Sequence, residues 1–187
     1  MGSSISGDRA SPPAASSPSG SSRSKGTSWS ASRSPAEVGL DRPAFWIATC
    51  AGIGYAPVAP GTLASLPVAL LLWLLAPSDR AVLGLAVVAA GLGIWAAGRV
   101  EAASGVKDPG IIVVDEVAGM LVAALGQPRS WGWLLALFVL FRGFDIWKPF
   151  PIRRLQAWPG GLGVVADDLL AGLYANLLLQ FVRLLVQ

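Results

Sequence analysis

Charged residues in this chain are bunched into short stretches, and long apolar blocks run between them. Residues 43–78 carry no charge at all. The first half of that block contains Gly52-Ile-Gly-Tyr-Ala-Pro57-Val-Ala-Pro60-Gly61-Thr62, too rich in Gly and Pro for a regular helix, and predicts a structured loop. Residues 63–76 then predict a helix, mildly interrupted at Pro67. Ser78-Asp79-Arg80 opens the next element, and residues 81–98 are apolar on every side at roughly membrane-spanning length. A polar connection over 99–112 is broken by Asp108-Pro109-Gly110. Residues 113–126, 131–145 and 167–187 predict three more helices. The expected fold is all-α: a multi-helix bundle, membrane-embedded, with about four or five apolar helices.

Residues 1–40 differ in kind. They are rich in Ser, Pro, Gly and Ala, with Arg9, Arg23, Lys25 and Arg33 scattered among them. Such a segment buries too little apolar surface to offset its ordering entropy and predicts a disordered tail. It lacks the apolar core of a signal peptide, whereas a Ser-rich, acid-poor start also suits an organellar transit peptide. Residues 41–187 form the expected helical domain.

The placement of basic residues supports a membrane topology. With the basic tail on the cytoplasmic side, alternation puts the 99–112 and 146–166 connections there too, carrying Arg99, Lys107, Lys148, Arg153 and Arg154. The opposite turns carry one arginine each, Arg80 and Arg129. Helices of about 14 residues cover only ~21 Å, short of a ~30 Å hydrocarbon core, so some are expected to sink only partly into the bilayer.

Composition sharpens this picture. Of the 187 residues 53% are hydrophobic and only 13% charged, against roughly a quarter charged in soluble domains. A formal charge of +3 without basic runs gives no case for nucleic acid. The chain has no histidine, which excludes imidazole as nucleophile, base or metal ligand. Cys50 is the only cysteine, so no internal disulfide forms. A cysteine phosphatase would need an arginine six residues later, where Ala56 stands. Any metal bound here must be hard and oxygen-ligated, with Mg²⁺ first and Mn²⁺ or Ca²⁺ behind it.

Apart from Asp79, the acids of the apolar body all fall on the cytoplasmic side: Glu101, Asp108, Asp115, Glu116, Asp145, Asp167 and Asp168. Like charges gathered in a low-dielectric region call for a compensating cation. Asp115-Glu116 and Asp167-Asp168 are each expected to open a helix, where helix capping is the competing explanation. Both are followed by Ala and Gly, and Asp115–Gly119 and Asp168–Gly172 share a helical face. Glycine inside a helix suggests close packing, which would draw the two acid pairs together. Asp145 falls at a helix C-terminus, where capping cannot explain an anion, although pairing with Arg142 or Lys148 can. Glu101, a lone acid in a polar loop, and Asp108, before a proline, are weaker candidates. Pro60-Gly61-Thr62 and Gly160-Gly161-Leu-Gly163 are candidate phosphate-cradling segments. Arg142, Lys148, Arg153 and Arg154 are candidate phosphate cations, with lipid-headgroup anchoring as the alternative.

Four blocks, read together, resemble the phosphatidylglycerophosphatase A family. They are Gly52-x-Gly-x-x-Pro57-x-x-Pro60-Gly61-Thr62, Asp108-Pro-x5-Asp115-Glu116-x2-Gly119, Phe141-Arg142-x2-Asp145-x2-Lys148-Pro149-x-Pro151-Ile152, and Gly160-Gly-x-Gly163-x3-Asp167-Asp168-x2-Ala171-Gly172. The resemblance runs from about Phe45 to the C-terminus and does not cover the tail. It implies an all-helical, Mg²⁺-dependent phosphatase of the bacterial inner membrane that converts phosphatidylglycerophosphate to phosphatidylglycerol and phosphate; the basic-loop topology puts the expected site on the cytoplasmic face. On that basis Asp115, Glu116, Asp167 and Asp168 are expected to hold Mg²⁺, with Asp108 a further candidate. Asp145, Asp168 and Asp115 are the expected catalytic acids, and Lys148, Arg153, Arg142 and Thr62 the expected phosphate contacts. Direct attack by water and an aspartyl-phosphate intermediate both remain open.

Two rival readings fit the sequence less well. A CDP-alcohol phosphatidyltransferase would need Asp-Gly-x-x-Ala-Arg and two later aspartates, but Asp168 is followed by Leu-Leu-Ala-Gly. A non-enzymatic carrier or channel with an acidic cation site would place its acids at mid-helix near the bilayer centre, not beside basic loops.

Overall fold

The computed structural model describes residues 41–186; the expectations for residues 1–40 and for Gln187 lie outside it. Among the described residues there are seven α-helices and no strand. They are α1 (Arg42–Ala48), α2 (Pro60–Leu75), α3 (Asp79–Ser104), α4 (Val114–Ala123), α5 (Trp131–Trp147), α6 (Ile152–Gln156) and α7 (Gly160–Val186), with a 3₁₀ turn at Ile53–Tyr55. The short α4 is central, packed against α7, α3, α2 and α5. Its inner face, including Ala118, Met120 and Ala123, is fully buried.

Local chemistry explains most boundaries. Ser78 caps α3, its side chain accepting from the Ala81 amide at 3.4 Å, and Gly105 ends the helix with a φ of 66°. Pro60 opens α2, where its missing N–H costs nothing. Pro67 is carried inside α2 without breaking it. The α4 helix stops where Asn176 of α7 donates to the carbonyls of Ala123 and Leu125, each at 2.6 Å.

Several elements differ from the sequence expectation. The α3 helix runs on to Ser104, so Glu101 is a buried helical residue and not a loop acid. The α7 helix begins at Gly160, so the glycine-rich segment is its first turn and Asp167-Asp168 do not open it. Tertiary packing overrides poor propensity there: a Cβ at Gly161 would overlap the Ile94 carbonyl and the Gly98 amide of α3. Helices α1 and α6 have no counterpart in the sequence expectation.

The expected close approach is present. A Cβ on Gly119 would lie 2.7 Å from the Asp168 carbonyl oxygen, and one on Gly172 would overlap the Gly119 carbonyl. Helices α4 and α7 therefore cross backbone against backbone, immediately beside the two acid pairs.

Helices α3 and α7, with 26 and 27 residues, are long and apolar enough to cross a membrane; α2 is apolar but shorter, at 16. Large apolar side chains stay exposed on Leu70 and Leu74 of α2, Leu85 and Val88 of α3, and Leu177 and Phe181 of α7. So wide an apolar surface fits association with a membrane. At the far end of the bundle Asp79, the acid set apart from the rest, pairs with Arg129 at 2.7 Å.

Candidate active site

The polar pocket lies where α4 begins, α5 ends and α7 passes two turns below its start. It encloses about 340 Å³ and is walled by Asp108, Asp115, Glu116, Asp145, Asp167 and Asp168, together with Arg142 and Lys148. Six of the seven acids singled out in the sequence thus share one cavity. Asp115 and Glu116 occupy the first turn of α4, as expected. Asp167 and Asp168 are held by the body of α7, so capping gives no account of them.

Two cations neutralise part of this set. Arg142 donates to Glu116 and stands 2.9 Å from Asp145. Lys148 donates to Asp167 and lies 4.0 Å from Asp145. The pairing with Arg142 or Lys148 that stood as the alternative to a functional role is thus present, closely with Arg142 and loosely with Lys148, and it holds that carboxylate in the wall. Lys148 ends α5 in a left-handed conformation, φ 48°, which turns the chain at the pocket's edge.

Asp115 and Asp168 stand apart, each buried and with no ion-pair partner among the described residues. Asp115 accepts only the Glu116 amide, at 3.0 Å. The buried oxygens Asp168 Oδ2 and Asp167 Oδ1 have no hydrogen-bond partner. Buried carboxylate oxygens left bare are costly. Burial, reinforced by Glu116 and Asp108, pushes the Asp115 carboxyl well above the usual carboxylate range. Burial and the nearby Asp145 raise Glu116 to about 7, against the opposing pull of Arg142. Lys148 is held above its ordinary value because its bond to Asp167 and the surrounding carboxylates outweigh burial.

The rim is fastened by groups that sequence reasoning undervalued or missed. Glu101 accepts the Asp108 amide at 2.7 Å and pairs with Lys107 at 3.1 Å, so it orders the loop without lining the pocket. Gln156 of α6 donates to Asp108 Oδ2 at 2.7 Å; only the three-dimensional approach of α6 reveals it. Pro60 and Gly61 reach the wall, where a Cβ on Gly61 would collide with the Glu116 carboxylate. Thr62 is half-buried and off the wall. Arg153 lines a neighbouring cavity and not this one. Cys50, its thiol pushed up to about 11 by burial and Asp115, stays protonated at neutral pH and is no nucleophile.

Among the described residues no three acids close around a common point as a ready-made ion cage. The donor set nevertheless suits a hard cation, since six carboxylates line one pocket and two of their buried oxygens, on Asp167 and Asp168, have no hydrogen-bond partner among the described residues.

A family model described as "Phosphatidylglycerophosphatase A" matches residues 46–183. A Bacteroides thetaiotaomicron protein, provisionally named a phosphatidylinositol-3-phosphatase, is 39% identical over 163 residues, covering 77% of this chain and 98% of its own length. Phosphatidylglycerophosphatase A of Escherichia coli K12 is 35% identical over 147 residues, covering 76% of this chain and 85% of its own. The Haemophilus influenzae protein of the same name is 45% identical over 86 residues, 45% of this chain and 53% of its own. No solved structure matches.

Proposed function

Because the chain belongs to the phosphatidylglycerophosphatase A family and is thereby a phosphoric monoester hydrolase, we propose that it hydrolyses phosphatidylglycerophosphate to phosphatidylglycerol and phosphate with the help of Mg²⁺. One observation carries the metal: Asp115 and Asp168 are buried in a pocket wall of six carboxylates and have no cation of their own among the described residues. Removing a buried charge's partner is strongly destabilising, so a bare pair of this kind calls for a counter-ion. Asp115, Glu116, Asp167 and Asp168 would hold Mg²⁺, with Asp108 a further candidate. Bound there, the ion would offset phosphate charge and make water a better nucleophile.

The chain's own groups divide the remaining work. Lys148 and Arg142 donate N–H bonds to the non-bridging oxygens of the monoester, neutralising charge that grows as the bond to the lipid breaks. Asp145, held in place by Arg142 at 2.9 Å, orients the attacking water and takes its proton. The water oxygen bonds to phosphorus as the bond to the glycerol oxygen breaks, and the proton that Asp145 took passes to that oxygen, which leaves as a hydroxyl. The apolar faces of α2, α3 and α7 would keep the pocket within reach of lipid headgroups. Arg99, Lys107, Lys148, Arg153 and Arg154 lie at the pocket end of the bundle, which supports an inner-membrane enzyme with its site toward the cytoplasm. A carrier or channel is not favoured for a phosphatase-family chain.

Phosphate release from phosphatidylglycerophosphate in detergent micelles tests the reading. Activity should vanish in EDTA and return with Mg²⁺; release that ignores EDTA would overturn the metal. Turnover of phosphatidylinositol 3-phosphate with none of phosphatidylglycerophosphate would correct the substrate.

A further inference from the structure

A second cavity adjoins the acid pocket and shares Lys148 with it. It encloses about 530 Å³ and is lined by Trp147, Lys148, Pro149, Phe150, Pro151, Arg153 and Arg154. Its charge is the reverse of its neighbour's, for it contains three cations and no acid. Neither Arg153 nor Arg154 is in an ion pair among the described residues, whereas Arg142 and Lys148 are each engaged by carboxylates. The Arg154 guanidinium lies over the Phe150 ring, 4.7 Å from its centroid, which limits its freedom before any ligand arrives.

The element bearing these arginines is fixed to the catalytic wall. Ile152 is fully buried, and Gln156 ties the end of α6 to Asp108. The outer rim is apolar, with Trp147 73% exposed and Phe150 71% exposed. Aromatic side chains beside arginines suit the boundary between lipid and water.

The lipid proposed above carries two anionic groups, a terminal phosphomonoester and a phosphodiester one glycerol unit away. The monoester belongs among the acids and their cation, and the diester must lie outside that negative wall. We infer that Arg153 and Arg154 form a subsite for the phosphodiester of the lipid substrate, with Lys148 standing between the two phosphates. A guanidinium presents a planar fork of donors matched to phosphate oxygens, which an ammonium does not. The inference rests on the proposed substrate and moves Arg153 from the reacting phosphate to the neighbouring one.

The test uses the full chain in neutral-detergent micelles at fixed mole fractions of lipid. In R153A/R154A, KM for phosphatidylglycerophosphate should rise roughly ten- to a hundredfold, with kcat changed by no more than about threefold. The inhibition constant of phosphatidylglycerol, which retains only the diester, should rise by a similar factor, while that of inorganic phosphate stays put. R153K/R154K should recover KM only in part, because charge returns without the fork. An unchanged KM, an equal weakening of inorganic phosphate, or full rescue by lysine would overturn the subsite. Full rescue would reduce the pair to general attraction for an anionic surface. Absence of phosphate release by the wild type would instead defeat the proposed substrate.

Discussion

The acid pairs Asp115-Glu116 and Asp167-Asp168 look alike in sequence, yet the fold holds them differently. The first stands at the start of the ten-residue α4, where the helix dipole and a backbone amide help an anion. The second sits two turns inside the 27-residue α7, where no terminus assists it. Within each pair one member is held by a cation, Glu116 by Arg142 and Asp167 by Lys148, and the other is bare. Position along a helix therefore does not decide which acids await a cation. What decides it is the side of the helix that meets Arg142 and Lys148. Of the two bare acids Asp168 is worse placed, lacking both the dipole and a partner for Oδ2.

The largest expected effect follows from that asymmetry. Asp168→Asn should lower kcat by roughly a thousandfold, measured as phosphate release, yet raise the melting temperature of the EDTA-treated protein, because a buried uncompensated charge is gone. Asp115→Asn should show both changes more weakly; the reverse order would break the comparison.

Next in size is the pH dependence of the metal-free protein. Glu116 is raised from 4.5 to about 7 in the folded state. The unfolded chain therefore releases this proton first, and stability is lost as pH climbs from about 4.5 to 7. The shift corresponds to a cost on the order of 3 kcal/mol above that window. Urea denaturation in EDTA at pH 5 and pH 8 measures it. Glu116→Gln should flatten the slope, and Mg²⁺ should reduce it; a stability that rises with pH would contradict the assignment.

The smallest effect concerns the crossing that brings the pairs together. Gly172→Ala puts a methyl into the Gly119 carbonyl and should destabilise the fold by roughly 1–3 kcal/mol, read by thermal denaturation. Activity should fall with it as the pairs are forced apart.

Much of this site was legible because charge is scarce in the chain. With 13% charged residues, acids that fall together on one side of the topology stand out, and Gly119 and Gly172, each four residues beyond an acid, announced a close crossing. Illegible were features that tertiary contact decides. Three glycines in four residues read as a loop, but Gly161 fits so tightly against Ile94 and Gly98 of α3 that the segment is helical. Glu101 read as solvated because nothing local marks the continuation of α3 to Ser104. Gln156 joins Asp108 across 48 residues, beyond any local pattern. The expected phosphate contacts Thr62 and Arg153 do not line the acid pocket: Gly61 reaches its wall while Thr62 does not, and Arg153 lines the adjoining cavity.

Main chain meeting main chain at Gly119 and Gly172 has a consequence for how this molecule can vary. Where side chains separate two helices, their spacing drifts with every change of residue. Here the gap is set by the peptide unit itself, a dimension no substitution can alter except by adding atoms. The exposed leucines and valines are thus free to change while the bare aspartates keep their distance, as marks on a ruler survive repainting of its case.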